Sequence, residues 1–114
     1  MTPKETELVE QLVEKTKAKA IPWEPTAREN EFVAPYKGQA TFTVLKYENP
    51  SYYGDSFKLI LRDSSDREML VLDSASGFLP DAALLGDLYR AAHDSALKVE
   101  ETLDAILDDL RAAG

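Results

Sequence analysis

No cysteine occurs in this 114-residue sequence, and histidine occurs once, at position 93. The first absence excludes disulfides and thiolate metal sites. The second excludes histidine-rich zinc chemistry, because zinc takes three or four ligands from Cys, His and carboxylates. A Ser–His–Asp arrangement would have to run through His93, and no Gly-x-Ser-x-Gly elbow accompanies it. The five glycines are scattered, with no Gly-x-Gly or Gly-Lys-Ser/Thr run to cradle a phosphate. No apolar run approaches the roughly 20 residues of a membrane span. The opening MTPKETELVEQLVEK is charged and amphipathic, unlike a secretory leader. The expectation is a cytoplasmic chain, not an enzyme, with no catalytic residues, metal or cofactor.

What is present is acid. The formal net charge is −8, and it is uneven: residues 1–19 balance, whereas residues 81–114 hold eight acidic and three basic side chains. Such a field repels nucleic acid and anionic membrane and steers toward a basic partner. Hydrophobic residues make up 44% of the chain and charged residues 30%. That is a globular composition, and this length suits a single α+β domain over residues 1–114.

Thr2-Pro3-Lys4-Glu5 reads as a helix start, with Thr2 as N-cap and Glu5 closing a capping box. Leu8, Val9, Leu12 and Val13 share one face of that helix. The prolines of Ile21-Pro22-Trp23-Glu24-Pro25 forbid helix and predict an edge strand or extended connection. Short β-rich runs follow: 32–36, a Lys37-Gly38 turn, 40–47 and 56–62. In the last of these, Phe57, Leu59 and Leu61 alternate with Lys58 and Arg62. Met69-Leu70-Val71-Leu72 is apolar on both faces and reads as a central, covered strand. Together these runs predict an antiparallel meander of four to five strands behind an N-terminal helix. Asp63-Ser64-Ser65-Asp66 reads as a turn; it lacks the glycine and glutamate that a calcium loop of the EF-hand type requires. Ser74-Ala75-Ser76-Gly77 could turn backbone N–H groups toward an anion, but no Lys or Arg adjoins it.

Asp81 is the expected N-cap of a C-terminal helical region. From there Leu85, Tyr89, Ala92, Ala96, Val99, Leu103, Ile106 and Leu110 recur in heptad steps of four and three. One continuous helix over 82–112 would be roughly 46 Å long, against a diameter of about 34 Å for a compact domain of this size. Either the helix breaks near His93–Lys98, where Asp94-Ser95 offers a second cap, and folds into a hairpin, or one long helix projects and pairs with a partner. The break is the favoured reading.

Two sets of residues stand out as candidates for contact. Glu100, Glu101, Asp104 and Asp108 cluster on one side of the last helix and suit solubility or a basic partner. Trp23, alone between prolines, either caps the core or anchors a partner. Tyr52 and Tyr53 sit in a loop between Pro50 and Gly54; in an extended chain they point opposite ways, one toward the sheet and one toward a binding surface. Ile21 and Trp23, then Leu85, Leu88 and Tyr89, then Leu103, Asp104, Ile106, Leu107 and Leu110 form a layout that resembles small uncharacterised bacterial α+β proteins. The resemblance lies in core residues and implies a fold type without an activity.

These residues support a non-enzymatic acidic protein-interaction module, an accessory, inhibitor or neutralising protein. Its contacts are expected at Trp23, Tyr52, Tyr53, Glu100, Glu101, Asp104 and Asp108. A homodimer through the heptad helix is compatible with that. The rival is a small-ligand or nucleotide-binding domain, with a pocket between sheet and helices lined by Trp23, Tyr52 and Tyr89 and charged by Arg62 or Arg67.

Overall fold

The computed structural model describes residues 1–49, 54–76 and 79–113. Helix α1 (Pro3–Lys17) is followed by strands β1 (Glu24–Pro25), β2 (Glu31–Tyr36), β3 (Ala40–Glu48), β4 (Asp55–Asp63) and β5 (Glu68–Asp73). A 3-10 turn (Ser74–Ser76) leads on to helices α2 (Leu79–Ala96) and α3 (Val99–Ala113). The described strands form one antiparallel sheet in chain order, β1-β2-β3-β4-β5. The fold is α+β.

Local chemistry explains the boundaries. Thr2 accepts from the Glu5 N–H at 3.2 Å while the Glu5 carboxylate accepts from the Thr2 N–H at 2.9 Å, so the capping box starts α1. The β2–β3 connection has positive φ at both Lys37 (+50°) and Gly38 (+67°), the requirement of a type I′ turn, and the Gln39 N–H closes it on the Tyr36 carbonyl at 3.0 Å. At the β4–β5 turn the Asp63 carboxylate accepts from the N–H groups of Ser65 and Arg67 and pairs with the Arg67 guanidinium at 3.0 Å. These bonds, above all the one from the Arg67 N–H, hold its pKa below the ordinary carboxylate value. Asp63 is thus committed to its own turn.

Helix α2 lies on one face of the sheet, and α1 packs against α2. The core joins Val9 and Leu12 of α1, Phe32 and Ala34 of β2, Phe42 and Val44 of β3, Leu59 of β4, Leu72 of β5, and Leu85, Leu88, Tyr89 and Ala92 of α2. The alternation along β3 and β4 puts Phe42, Val44 and Leu59 under the helices, as their period of two requires. Gly86 lets α2 seat closely on β4: a Cβ there would stand 3.2 Å from the Phe57 ring.

Two expectations are corrected. Strand β5 is an edge of the sheet, not its centre, with Met69 63% and Val71 43% exposed on the face away from the helices. Chain order decided this, since a strand at the end of a meander has one neighbour. Helix α2 begins at Leu79, so Asp81 lies in its first turn and is not the cap; its carboxylate meets the Met1 amino group at 2.7 Å.

The C-terminal region breaks within the expected window. The residues between α2 and α3 are Leu97 and Lys98, and Lys98 has φ of +54°. Asp94 and Ser95 stay inside α2. The break does not return the chain over the body. Every described residue of α3 after Val99 is exposed. The radius of gyration is 15.7 Å, against about 13 Å for a compact chain of this length, and the longest dimension is 52 Å against a shortest of 28 Å. The exposed area of 7819 Å² likewise exceeds the roughly 6,200 Å² of a compact protein of this mass.

Candidate functional site

Helix α3 is the best candidate because its sequence is built to bury a face that the fold leaves bare. At roughly 3.6 residues per turn, Val99, Leu103, Ile106 and Leu110 form a single line, with Leu107 beside it. Leu103, Ile106, Leu107 and Leu110 are 53%, 49%, 45% and 65% exposed, and Leu97 just before the helix is 48% exposed. Val99 is half-buried and marks where the line runs into the body. One apolar leucine on a surface means little, but a continuous stripe on one helix is a contact surface or a liability.

The acids on α3 take a definite place around that stripe. Glu100 and Asp104 border it beside Leu107, Asp109 borders it on the other side, and Glu101 and Asp108 lie opposite. All five are exposed. Among the described residues two of them have an ion pair, and both pairs are long: Glu100 with Lys19 at 3.9 Å and Asp108 with Arg111 at 3.7 Å. Exposed pairs of this kind hold little. The acidic cluster read from the sequence therefore splits, Glu100 and Asp104 at the edge of the stripe, Glu101 and Asp108 facing away from it.

At the foot of α3 a groove of about 790 Å³ opens between the end of α1, the 19–25 connection and the outer side of α2. Its lining includes Trp23, Ile21, Ala91 and Val99. Trp23 itself is only 4% exposed and belongs to the core, and its indole N–H donates to the Thr16 hydroxyl at 2.8 Å. The structure thus places Trp23 as a core cap with one edge in the groove wall, not as a projecting anchor. Thr16 is the residue that sequence reasoning missed. It is 2% exposed, on the apolar side of α1, and exists there to satisfy the indole. A polar residue in line with Val9 and Leu12, seven positions before a tryptophan, was the available signal.

The pocket expected between sheet and helices is not where the groove lies. Of its expected lining residues that are described, Trp23, Tyr89, Arg62 and Arg67, only Trp23 reaches the groove. Tyr89 is 5% exposed in the core, packed on Phe32 and Phe57, with its hydroxyl 3.3 Å from Asn30. Arg62 lies on the other face of the sheet, where it donates to Thr43 at 3.1 Å, and Arg67 holds the Asp63 turn. Tyr52 and Tyr53 lie outside the described residues.

Ionisable groups converge on the uncovered face of the sheet, at Arg62 with Asp66 and Glu68 and at Tyr47 with Asp73 and Lys58. The Tyr47 hydroxyl donates to the Asp73 carboxylate at 2.6 and 2.8 Å, and the Lys58 ammonium stands 5.4 Å over the Tyr47 ring and 3.9 Å from Asp73. Burial, with the bond to Asp73, raises the Tyr47 pKa, so the phenol keeps its proton at neutral pH. Burial, and next the charge of Asp55, does the same for Tyr89. His93 is stacked edge-on to Phe32 at 5.6 Å and touches Asp94 at 3.0 Å. Among the described residues no three His, Asp or Glu side chains are placed to hold a metal ion, and no helix is long and apolar enough to cross a membrane. The Ser74 hydroxyl accepts from the Phe57 N–H at 2.8 Å, and Gly77 of the Ser74–Gly77 stretch lies outside the described residues.

Comparisons of this chain with family models, with curated proteins and with solved structures each return no match. The likeness to small bacterial α+β proteins therefore stands on the residues named for it alone.

Proposed function

We propose that this chain is a non-enzymatic protein-interaction module whose contact element is α3, carried on a packed α+β body. The observation that supports it most is the exposure of Leu103, Ile106, Leu107 and Leu110 on one face of one helix. A helix of four turns has little stability of its own in water. An apolar stripe of this length gains most when an amphipathic helix lays it into a partner's groove. Glu101 and Asp108, on the far side, keep the helix soluble and add to a field that draws a basic partner. The reading takes the chain as cytoplasmic, a setting that its lack of cysteine suits. The proposal gives Trp23 a structural role and assigns none to Tyr52 or Tyr53.

Site-specific photocrosslinking tests this reading. A photoreactive residue at Ile106 should give one discrete adduct in the source cells, and the same residue at Glu101 or Met69 should not. The adduct should disappear when Leu103 and Leu110 are both changed to Asp. Equal labelling from all three positions, or none from Ile106, would remove α3 as the contact element.

A ligand-binding reading is favoured by one observation. The groove beside Trp23, at about 790 Å³, lies within the volume range of small-molecule sites. Its walls mix five acidic and four basic side chains, which suits no single charge type. A thermal-shift screen with nucleotides and metabolites tests it, and no shift at millimolar ligand counts against it.

A further inference from the structure

We draw no further inference here: the strongest candidate, the exposed apolar stripe of Leu103, Ile106, Leu107 and Leu110 along α3, is the contact element already proposed, and nothing in the structure shows what covers it.

Discussion

Helices α2 and α3 are neighbours in sequence, share one heptad register and differ completely in what became of it. In α2, Leu85, Leu88, Tyr89 and Ala92 are 1%, 0%, 5% and 0% exposed; in α3, Leu103, Ile106, Leu107 and Leu110 are 45% to 65% exposed. Leu97 and Lys98 separate the two. The left-handed backbone at Lys98 interrupts the helix between them, and α2 spends its stripe on the sheet while α3 keeps its own exposed. Periodicity states that a face is apolar. It does not state what covers that face, and this pair shows how far apart the two answers can lie.

The largest effect that sharpens the comparison is expected from Leu88→Ala. Leu88 is fully buried, and its truncation should cost about 2–5 kcal/mol of unfolding free energy, measured by urea titration. A smaller loss would mean that the interface between α2 and the sheet is looser than its burial indicates. Next comes Thr16→Val, which keeps the shape and leaves the buried indole N–H of Trp23 without a partner. It should cost about 1–3 kcal/mol, and tryptophan fluorescence should report the change beside the indole. In α3, Ile106→Ala should change stability by no more than about 0.5 kcal/mol. A loss on the scale of Leu88 would erase the distinction between the helices.

The smallest effect belongs to the β4–β5 turn. Asp63 has a folded pKa below its unfolded value, so its contribution is fully present above the ordinary carboxylate range, near pH 4. The contribution is lost as the pH falls through the lower folded value. Urea titrations from neutral to acid pH should show a shallower acid loss in Asp63→Asn than in the parent. Identical acid limbs would show that the turn does not depend on this carboxylate.

Much of the body is legible in the chain. Thr2 and Glu5 announce the first helix, Lys37-Gly38 the tight turn, and the alternation of Phe57, Leu59 and Leu61 the strand under the helices. The C-terminal break was legible too, from length alone, because one rod would overshoot a domain of this size. The break falls inside the expected window His93–Lys98, but the expected cap at Asp94-Ser95 does not form, because α2 packs on through Ala96, which is half-buried against the core. Met69 and Val71 misled because an apolar side chain is taken as covered, whereas an edge strand has an open face. Trp23 carried two readings that composition could not separate. The buried hydroxyl of Thr16, within hydrogen-bonding distance of the indole, decides for the core. The exposure of α3 was the least legible feature, since its leucines repeat the pattern that α2 buries.

Amide hydrogen exchange, resolved residue by residue, compares the two helices most directly. Amides across Leu85–Ala92 should exchange only through global unfolding, while those across Leu103–Leu110 should exchange orders of magnitude faster, at rates set by local fraying of an isolated helix. Equal protection across the two helices in the monomer would contradict this, because α3 would then belong to the core and would have no free face to offer.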